Sequence, residues 1–457
     1  MHSNSLNSLF KKLANIVADR VTTSQSDREH HGRDPGHDIS IPPDVVIYPI
    51  TTEEVCQIVK ICAEFKTPII PYGIGSSLEQ HVVAPNGGVC VDLSRMDEIL
   101  EINSEDMDAR VQAGVTREGL NSYIRDTGLF FPIDPGANAT FGGMASTRAS
   151  GTNAVRYGTM RANAIGLTVV TPQGEIIKTG GRARKSSAGY DLTATYVGSE
   201  GTLGIITEVS VRLHPIPEKI AAAVVSFKDL KDAVTTVIEM LQSAVPIARV
   251  ELLDQVQMKA IRQHSKLDYP ELPTLFLEFH GGDAAVQEQI ETVEGLAKNN
   301  QGQDFSWAEK AEDRNKLWAA RHEAYYANRS LQPGDNMMTT DVCVPISRLP
   351  KCLLATRADL DNIGLISPII GHVGDGNFHV MLLYKNEQIE IANAANQRLI
   401  DRALALGGTC TGEHGIGMGK REFLIAEHGD AVKQMKKIKQ AFDPDNIMNP
   451  GKIFLDD

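Results

Sequence analysis

Two histidines flank a predicted turn in the second half of the chain. His372 and His379 stand on either side of Asp375 and Gly376, and apolar runs lie before and after this segment. Asp-Gly between apolar runs predicts a tight hairpin, and with these two residues at its centre His372 would face His379. Facing residues of a hairpin have Cβ atoms about 4.5–5.5 Å apart, so both imidazoles can bind one metal ion.

A carboxylate beside a further imidazole follows later in the chain. Glu413 and His414 lie in a Gly-Glu-His-Gly sequence at residues 412–415. With the two histidines of the predicted hairpin, these residue types indicate metal-assisted catalysis. A solvent-exposed histidine pair without a metal is the alternative.

Composition restricts the class of protein. A chain of 457 residues allows two or three domains, and 42% hydrophobic and 23% charged residues are typical of a globular protein. The formal charge of −13 argues against nucleic-acid binding.

The sequence has no apolar run near the ~18 residues of a membrane span and no apolar block of a secretion signal. Six cysteines without CxxC spacing predict free thiols in a reducing compartment. We therefore expect the cytoplasm, with peripheral attachment at an inner membrane left open.

The first half of the chain contains local signals for short elements. Thr51 is a predicted helix cap in a capping box, and the apolar residues from 55 to 62 form one helical stripe. Residues 164–170 and 174–178 predict a hairpin. The proline-rich sequence 214–217 indicates a linker that closes a first domain.

The second half alternates strands and helices. A strand at 221–227, a helix at 229–243 and a strand at 248–253 predict one β-α-β unit. Further strands at 275–280 and 342–345, with a helix at 284–299 between them, predict a second set around the same sheet.

Three glycine-rich segments predict a ligand-binding surface. Residues 71–77 follow a predicted strand, and glycine there lets consecutive N–H groups point at an anion. A nicotinamide-binding turn would require a helix next, but residues 87–92 predict another strand, so that interpretation fails. A plain loop is the alternative for this segment alone. Residues 134–146 and 198–206 are similarly rich in small residues, and three such loops suit a dinucleotide better than a compact substrate.

These loops together resemble the flavin-binding domain of the vanillyl-alcohol oxidase family. Residues 371–379, 413–417 and 446–452 resemble its D-2-hydroxy-acid dehydrogenase branch, as do 150–160 and 347–350. Within that branch the chain is most similar to the FAD-linked D-lactate dehydrogenases of the cytochrome type. The resemblance covers nearly the whole chain.

The resemblance implies an α+β fold with four parts. These are an N-terminal helical segment at 1–39, a two-subdomain FAD-binding domain of the PCMH type at 40–217, an α+β substrate domain with an antiparallel sheet and the metal site at 218–410, and a C-terminal segment at 411–457. That last segment would complete the active site and pack back on the FAD domain.

The resemblance also implies non-covalent FAD. Residues 73–77 would hold the pyrophosphate, residues 135–146 would run beside the ribityl and isoalloxazine groups, and Glu200 and Ile206 would lie near the nucleotide end. Asn449 and Lys452 would return the carboxy terminus to the flavin domain. The cofactor-binding residues expected are Pro71, Gly73, Ile74, Gly75, Ser76, Ser77, Pro135, Gly136, Thr140, Gly142, Gly143, Ser146, Ser150, Gly151, Asn153, Glu200, Gly201, Gly204, Ile206 and Asn449.

For the chemistry, the matched pattern makes His372, His379 and Glu413 the ligands of one divalent metal, zinc or manganese. His414 would be the general base, since an imidazole titrates near neutral pH. Arg321 would grip the substrate carboxylate through two parallel bonds. Its alternative is a surface salt bridge with Glu323 or Asp313.

The implied reaction is oxidation of a D-2-hydroxy acid with hydride transfer to flavin N5. Relatives that act on D-2-hydroxyglutarate carry a lysine at the position of Thr339, and a polar residue at that of Met381. An apolar wall without that cation favours a short monocarboxylate, D-lactate. A D-2-hydroxyglutarate or glycolate dehydrogenase, a flavin electron-transfer subunit of a glycolate oxidase-like assembly, and a non-enzymatic FAD- and metal-binding protein are the alternatives.

The expected partners follow from that reaction. They are the small-molecule substrate and a cytochrome, quinone or electron-transfer protein as electron acceptor. A homodimer is one alternative for the oligomeric state.

Overall fold

The computed structural model describes residues 3–37, 39–265 and 268–455. The chain forms two compact units. The first comprises Met1–Gly151, Gly158–Ile216 and Glu413–Asp457, and the second Thr152–Tyr157 and Pro217–Gly412. The predicted linker at 214–217 thus lies where the chain leaves the first unit. Residues 152–157, expected inside the flavin domain, pack instead with the second unit.

The first unit contains two main sheets. The four-stranded sheet has the order β1-β4-β6-β5, with β6 parallel to both of its neighbours. The five-stranded sheet has the order β11-β10-β12-β8-β7 and is antiparallel throughout. Two short ribbons pair β2 with β3 and β9 with β13. The strands are β1 Val21–Thr22, β2 Arg33–Asp34, β3 Ile39–Ser40, β4 Val45–Ile47, β5 Ile69–Tyr72, β6 Val89–Asp92, β7 Ile99–Asn103, β8 Asp108–Gln112, β9 Leu129–Phe130, β10 Ala164–Val170, β11 Ile176–Gly180, β12 Ile205–Arg212 and β13 His214–Pro215.

The helices of the first unit are mostly short, because glycine and alanine dominate its middle. They are Ser3–Val17, Gln25–His31, Thr52–Glu64, Arg117–Tyr123, Phe141–Thr147, Met160–Asn163, Leu192–Tyr196, Arg421–His428 and Ala431–Phe442, with a 3-10 turn at Arg125–Thr127.

Two local predictions for this unit are confirmed. The Thr51 side chain accepts a hydrogen bond from Glu54 N at the start of helix Thr52–Glu64. The carboxylate of Glu54, however, accepts from Ile50 N rather than closing the capping box on Thr51. The hairpin of β10 and β11 forms with Val170 opposite Ile176.

The second unit is built on one antiparallel sheet. Its order is β17-β14-β16-β15-β20-β21-β18, and β19 also pairs with β21. Every pair in it is antiparallel. The strands are β14 Lys219–Phe227, β15 Ile247–Leu253, β16 Thr274–Gly281, β17 Gly302–Ala308, β18 Asn336–Thr339, β19 Val342–Cys343, β20 Ile369–Gly371 and β21 Asn377–Tyr384.

The helices of the second unit include the long amphipathic ones that the sequence predicts. They are Ala154–Tyr157, Leu230–Gln242, Gln255–Ser265, Asp283–Asn299, Ala311–His322, Ala324–Leu331, Leu349–Asp361 and Ile389–Ala405, with 3-10 turns at Ile346–Arg348 and Asn386–Gln388. The predicted β-α-β unit is split, because β16 lies between β14 and β15 and pairs with both. The α+β class and the antiparallel sheet are as expected.

The predicted register of the histidine hairpin is wrong by two residues. Ile370, rather than His372, lies opposite His379. Residues 372–376 connect β20 to β21, so the connection is longer than the expected two-residue turn. A shift of two preserves the alternation of side chains, and His372 therefore stays on the face of the sheet that carries His379.

A contact from outside the hairpin accompanies the longer turn. Gly376 has φ +81°, and a Cβ on it would lie 2.1 Å from the carbonyl oxygen of Val344. The N–H of Val344 donates to the carbonyl of Gly376. The segment around Val344 thus packs on the connection between β20 and β21. The Asp-Gly pair alone does not decide the turn type.

Membrane spans and disulfides are both absent from the described part of the chain. No helix in it combines the length and apolar character needed to cross a bilayer. None of the six cysteines forms a disulfide.

Candidate active site

The two hairpin histidines lie together in the second unit. Their ring centroids are 5.6 Å apart and the rings are nearly perpendicular, at 84°. Both side chains are buried. His372 Nδ1 lies 2.6 Å from Glu251 Oε1, and His379 Nδ1 lies 3.0 Å from the carbonyl of Thr340. When Nδ1–H donates to an acceptor, the lone pair of a neutral imidazole is on Nε2, the arrangement typical of metal-binding histidines.

Glu413 is the third residue of the expected ligand set. It follows Gly412, which packs so tightly on the hairpin that a Cβ there would lie 2.1 Å from Asn377 Nδ2. One ligand atom each of His372, His379 and Glu413 lies within 4.8 Å of the others. Two imidazole nitrogens and one carboxylate oxygen fit the donor preference of zinc or manganese.

Glu251, for which the sequence offers no local signal, joins His372 of this pair to Arg321. Its side chain is fully buried on β15, and Arg321 Nε donates to Glu251 Oε2 at 2.7 Å. The alternative partners expected for Arg321 are wrong: Glu323 accepts from Ser265, and Asp313 pairs with Lys316. Burial alone would raise the pKa of Glu251, but His372 and Arg321 together lower it.

His414 lies beside a buried carboxylate in the first unit. Its Nδ1 is 3.8 Å from Glu79 Oε1, beyond a direct hydrogen bond but within electrostatic range. Lys420 Nζ lies 3.3 Å from the same oxygen. Burial alone would raise the pKa of Glu79, but Lys420, His414 and His37 lower it overall. Glu79 thus carries a negative charge behind the imidazole of His414 at neutral pH.

The three glycine-rich loops meet within the first unit. Gly73 lies against Thr140, where a Cβ would be 2.5 Å from the Thr140 hydroxyl. Gly201 packs on Pro71 in the same manner. Backbone bonds from Gly198 N to Ala145 O and from Glu200 N to Ser146 O join the second and third loops. The three loops are therefore in contact with one another in the fold, and their binding of a dinucleotide stays a prediction.

The first of these loops has features that fit a bound phosphate group. Gly75 has φ +66°, and a Cβ there would lie 2.2 Å from the hydroxyl of Tyr72, so only glycine fits. The buried Ser77 Oγ and Ser199 Oγ have no hydrogen-bond partner among the described residues. Buried hydroxyl groups normally have a partner. An FAD pyrophosphate would provide one for Ser77.

Several other expected cofactor residues make contacts within the protein. Asn153 Oδ1 accepts from Arg249 Nε at 2.8 Å in the second unit. Gly151, with φ +145°, packs on the backbone of Asp134.

Ile206 lies in the hydrophobic core of the first unit. Pro135 is half-buried, whereas Gly136 is exposed with nothing near its Cβ position. Their roles toward FAD stay predictions.

Glu200 holds the C-terminal loop rather than standing open to solvent. Its carboxylate accepts from Ile416 N and Gly417 N, each at 2.7 Å, and His81 Nε2 lies 3.3 Å away. Asn449 Nδ2 donates to the carbonyls of His81 and Glu200. Gly415 and Gly417 in the sequence indicate a tight loop around residue 416. The sequence does not indicate that Glu200 is the partner of this loop.

Thr339 and Met381 form a cross-strand pair. They lie directly opposite each other in the ladder of β18 and β21. Met381 is buried in a cluster with Leu253 and Ile370. The two positions singled out for substrate size thus share one face of the sheet.

The chain matches two family descriptions over most of its length. Residues 43–180 match the FAD binding domain, and residues 216–453 match the FAD linked oxidases, C-terminal domain. The second match alone spans more than half of the chain.

Two curated relatives are similar over nearly the whole chain. The probable mitochondrial D-lactate dehydrogenase of Danio rerio is 50% identical over 440 residues, covering 95% of this chain and 88% of the relative. The mitochondrial D-lactate dehydrogenase [cytochrome] of Arabidopsis thaliana is 45% identical, covering 97% and 80%.

The fold is also that of solved flavoproteins. The structure of p-cresol methylhydroxylase with substrate bound aligns with a TM-score of 0.80, covering 100% of this chain and 98% of that one at 18% identity. This likeness confirms the predicted fold. The chain therefore belongs to the FAD-linked oxidases of the vanillyl-alcohol oxidase type, in the group of the cytochrome-type D-lactate dehydrogenases.

Proposed function

We propose that this protein oxidises a D-2-hydroxy acid to the 2-oxo acid, with D-lactate as substrate and pyruvate as product. The observation that carries the proposal is the buried carboxylate of Glu251, which contacts both His372 and Arg321. It supports a site in which His372 and His379 hold a cation and Arg321 binds a carboxylate, and a 2-hydroxy acid carries a hydroxyl beside a carboxylate. The names of the two relatives agree with this substrate.

In this proposal Arg321 binds the substrate carboxylate with the Nη edge of its guanidinium, because Nε–H is engaged by Glu251. His372, His379 and Glu413 hold the divalent cation. His414 accepts the hydroxyl proton on Nε2, and the negative Glu79 behind Nδ1 stabilises the imidazolium that results. When bound, the cation supplies Lewis-acid polarisation of the hydroxyl, and FAD supplies at N5 the acceptor for the α-hydrogen with its electron pair.

The three loops of the first unit hold FAD non-covalently in this proposal. Ser77 and the backbone around Gly75 bind the pyrophosphate, since the positive φ of Gly75 turns the loop and the Ser77 hydroxyl is buried. A cytochrome, a quinone or an electron-transfer protein receives the electrons afterwards.

Substrate size follows from Thr339 and Met381. An apolar thioether beside a short neutral side chain offers no partner for a second carboxylate, so a diacid would bury an unpaired charge. D-Lactate is therefore favoured over D-2-hydroxyglutarate.

The test is reduction of the bound flavin in anaerobic stopped-flow mixing. D-Lactate, L-lactate, glycolate and D-2-hydroxyglutarate are compared at equal concentration, before and after treatment with a chelator. We expect the fastest bleaching with D-lactate and a loss of that rate on chelation that zinc or manganese restores. Preference for the diacid would contradict the role given to Thr339, and an undiminished rate after chelation would contradict the metal. Absence of reduction by any of the acids would favour an electron-transfer subunit or a non-enzymatic protein.

A further inference from the structure

Glu251 lies where two strands distant in sequence bring it to His372. Leu252 on β15 pairs with Gly371, the last residue of β20. Glu251 precedes Leu252 and His372 follows Gly371, so this ladder brings the two residues to the same end of the strand pair, where His372 Nδ1 lies 2.6 Å from Glu251 Oε1. The carboxylate is thus fixed by the backbone of the central strands, and its exposure is 0%.

Each carboxylate oxygen of Glu251 has one partner. Oε1 lies 2.6 Å from His372 Nδ1, and Oε2 accepts from Arg321 Nε at 2.7 Å. His372 follows β20, while Arg321 lies on helix Ala311–His322, so the two groups come from separate elements. A carboxylate has a fixed spacing between its oxygens, and the imidazole and the guanidinium are therefore held at a fixed separation.

We propose that Glu251 is a positioning residue that sets the imidazole of the metal ligand His372 and the guanidinium of Arg321 at the same time. The proposal rests on the proposed function. By accepting from Nδ1, Glu251 presents Nε2 of His372 to the cation. By accepting from Nε, it directs the Nη edge of Arg321 toward the substrate carboxylate. One buried anion thereby aligns the two groups that recognise the two ends of a 2-hydroxy acid.

Glu278 provides a matched control on the neighbouring strand. It is also buried, lies 2.8 Å from a ring nitrogen of His280 and 3.4 Å from Arg249 Nε, and belongs to β16. The loss of a buried carboxylate with a histidine and an arginine beside it is therefore common to both variants. His280 is not among the three residues that could hold the metal.

The decisive variant is Glu251→Gln in the full-length holoprotein. An amide has a single acceptor oxygen, so it can serve His372 or Arg321 but not both. We expect zinc affinity, measured by competition with a chromophoric chelator, to fall about 10- to 100-fold. At saturating zinc, the KM for D-lactate should rise more than kcat falls. Glu278→Gln should retain zinc affinity within about threefold of wild type, well below the change expected at Glu251.

If Glu251 and its partners form only a structural ion pair, we expect a different result. Glu251→Gln would then lower the melting temperature as Glu278→Gln does, while zinc affinity and KM stayed at wild-type values, and this outcome would overturn the proposal. If Glu251→Gln does not fold, Glu251→Asp decides: it keeps the charge but withdraws the oxygens by one methylene, and unchanged zinc affinity in it would equally overturn the proposal.

His379→Ala separates this inference from the proposed function. Its zinc affinity should fall because a ligand is lost. If it does not, the metal site itself is wrong and the role of Glu251 fails with it. If His379→Ala weakens zinc binding but Glu251→Gln does not, the metal site stands and only the positioning role is rejected.

Discussion

Each unit of the molecule contains a buried glutamate that accepts two short hydrogen bonds, but the donors differ in kind. In the second unit, Glu251 accepts from two side chains, His372 and Arg321. In the first unit, Glu200 accepts from the backbone N–H groups of Ile416 and Gly417. All four distances are 2.6 or 2.7 Å. The bond lengths therefore do not distinguish the two sites, and the comparison concerns which groups are held.

Side-chain donors and backbone donors are fixed for different purposes. An imidazole or a guanidinium can rotate on a correct backbone, so a carboxylate that binds it fixes orientation. Backbone N–H groups cannot rotate alone, so a carboxylate that binds them fixes the path of the chain. We infer that Glu251 controls how functional groups are aimed, whereas Glu200 controls whether the loop that carries His414 has its required course.

The strongest test of this distinction changes the backbone of the loop itself. Gly417 has φ +50°, and a Cβ on it would lie 1.8 Å from the carbonyl oxygen of Glu79. Gly417→Ala should therefore displace the loop, with an expected loss of about 3 kcal/mol or more in the free energy of unfolding. Denaturant unfolding measures this loss, and flavin reduction by D-lactate should be abolished with it.

Gly128 supplies the control for Gly417. Its backbone is left-handed, with φ +75° and ψ +11°, but no atom lies within 4 Å of its Cβ position. Gly128→Ala should therefore cost only the conformational strain, about 1–2 kcal/mol. Equal losses in the two variants would show that the contact with Glu79 does not hold the loop.

The next largest effect should come from the side chain that this loop carries. If backbone contacts determine the loop, His414→Ala removes the proposed general base without displacing the loop. We expect the rate of flavin reduction to fall at least about 100-fold, while the free energy of unfolding falls by less than the roughly 3 kcal/mol expected for Gly417→Ala. His428→Ala, an exposed histidine in the same C-terminal segment, should change neither. A large loss of stability in His414→Ala would contradict the comparison.

The sequence predicts helix caps, apolar helix faces and short hairpins well because the residues that determine each of them are close together in the chain. Thr51 caps its helix, and the apolar stripe from Val55 to Cys62 is buried as its spacing predicts. The hairpin of β10 and β11 forms within one short stretch of chain. His372, His379 and Glu413 are also predicted as metal ligands; one ligand atom of each lies within 4.8 Å of the others, and the metal itself stays a prediction.

The sequence does not predict partners that depend on distant pairing. Glu251 and His372 are 121 positions apart, and Glu200 and Ile416 are 216 apart. Nothing local indicates that β15 pairs with β20, or which carboxylate reaches the loop at residue 416. The histidine hairpin shows the same limit, since Gly376 packs on Val344, a contact that the sequence of the hairpin does not indicate.

The smallest expected effect is the pH dependence of the stability that Glu200 contributes, and it sharpens the comparison. Burial alone would raise the pKa of Glu200, but His81 and the N–H groups of Ile416 and Gly417 lower it overall. A lowered pKa means that the carboxylate stabilises the fold above its unfolded pKa of about 4.3, and that this contribution is lost as the pH falls through the folded value. Glu200→Gln should therefore lose about 1–3 kcal/mol at pH 7, because one buried N–H is left without an acceptor.

The difference between Glu200→Gln and wild type should shrink as the pH falls below about 4. A protonated glutamic acid resembles the amide, since each has one acceptor oxygen and one donor group. Urea unfolding at pH 7 and at successively lower pH measures the difference, with Glu64→Gln as the control because its side chain is 60% exposed. A difference that stayed constant with pH would mean that the volume and shape of Glu200 hold the loop. The negative charge of Glu200 would then not be what holds the backbone N–H groups of the loop, and the contrast with the side-chain donors of Glu251 would not rest on charge.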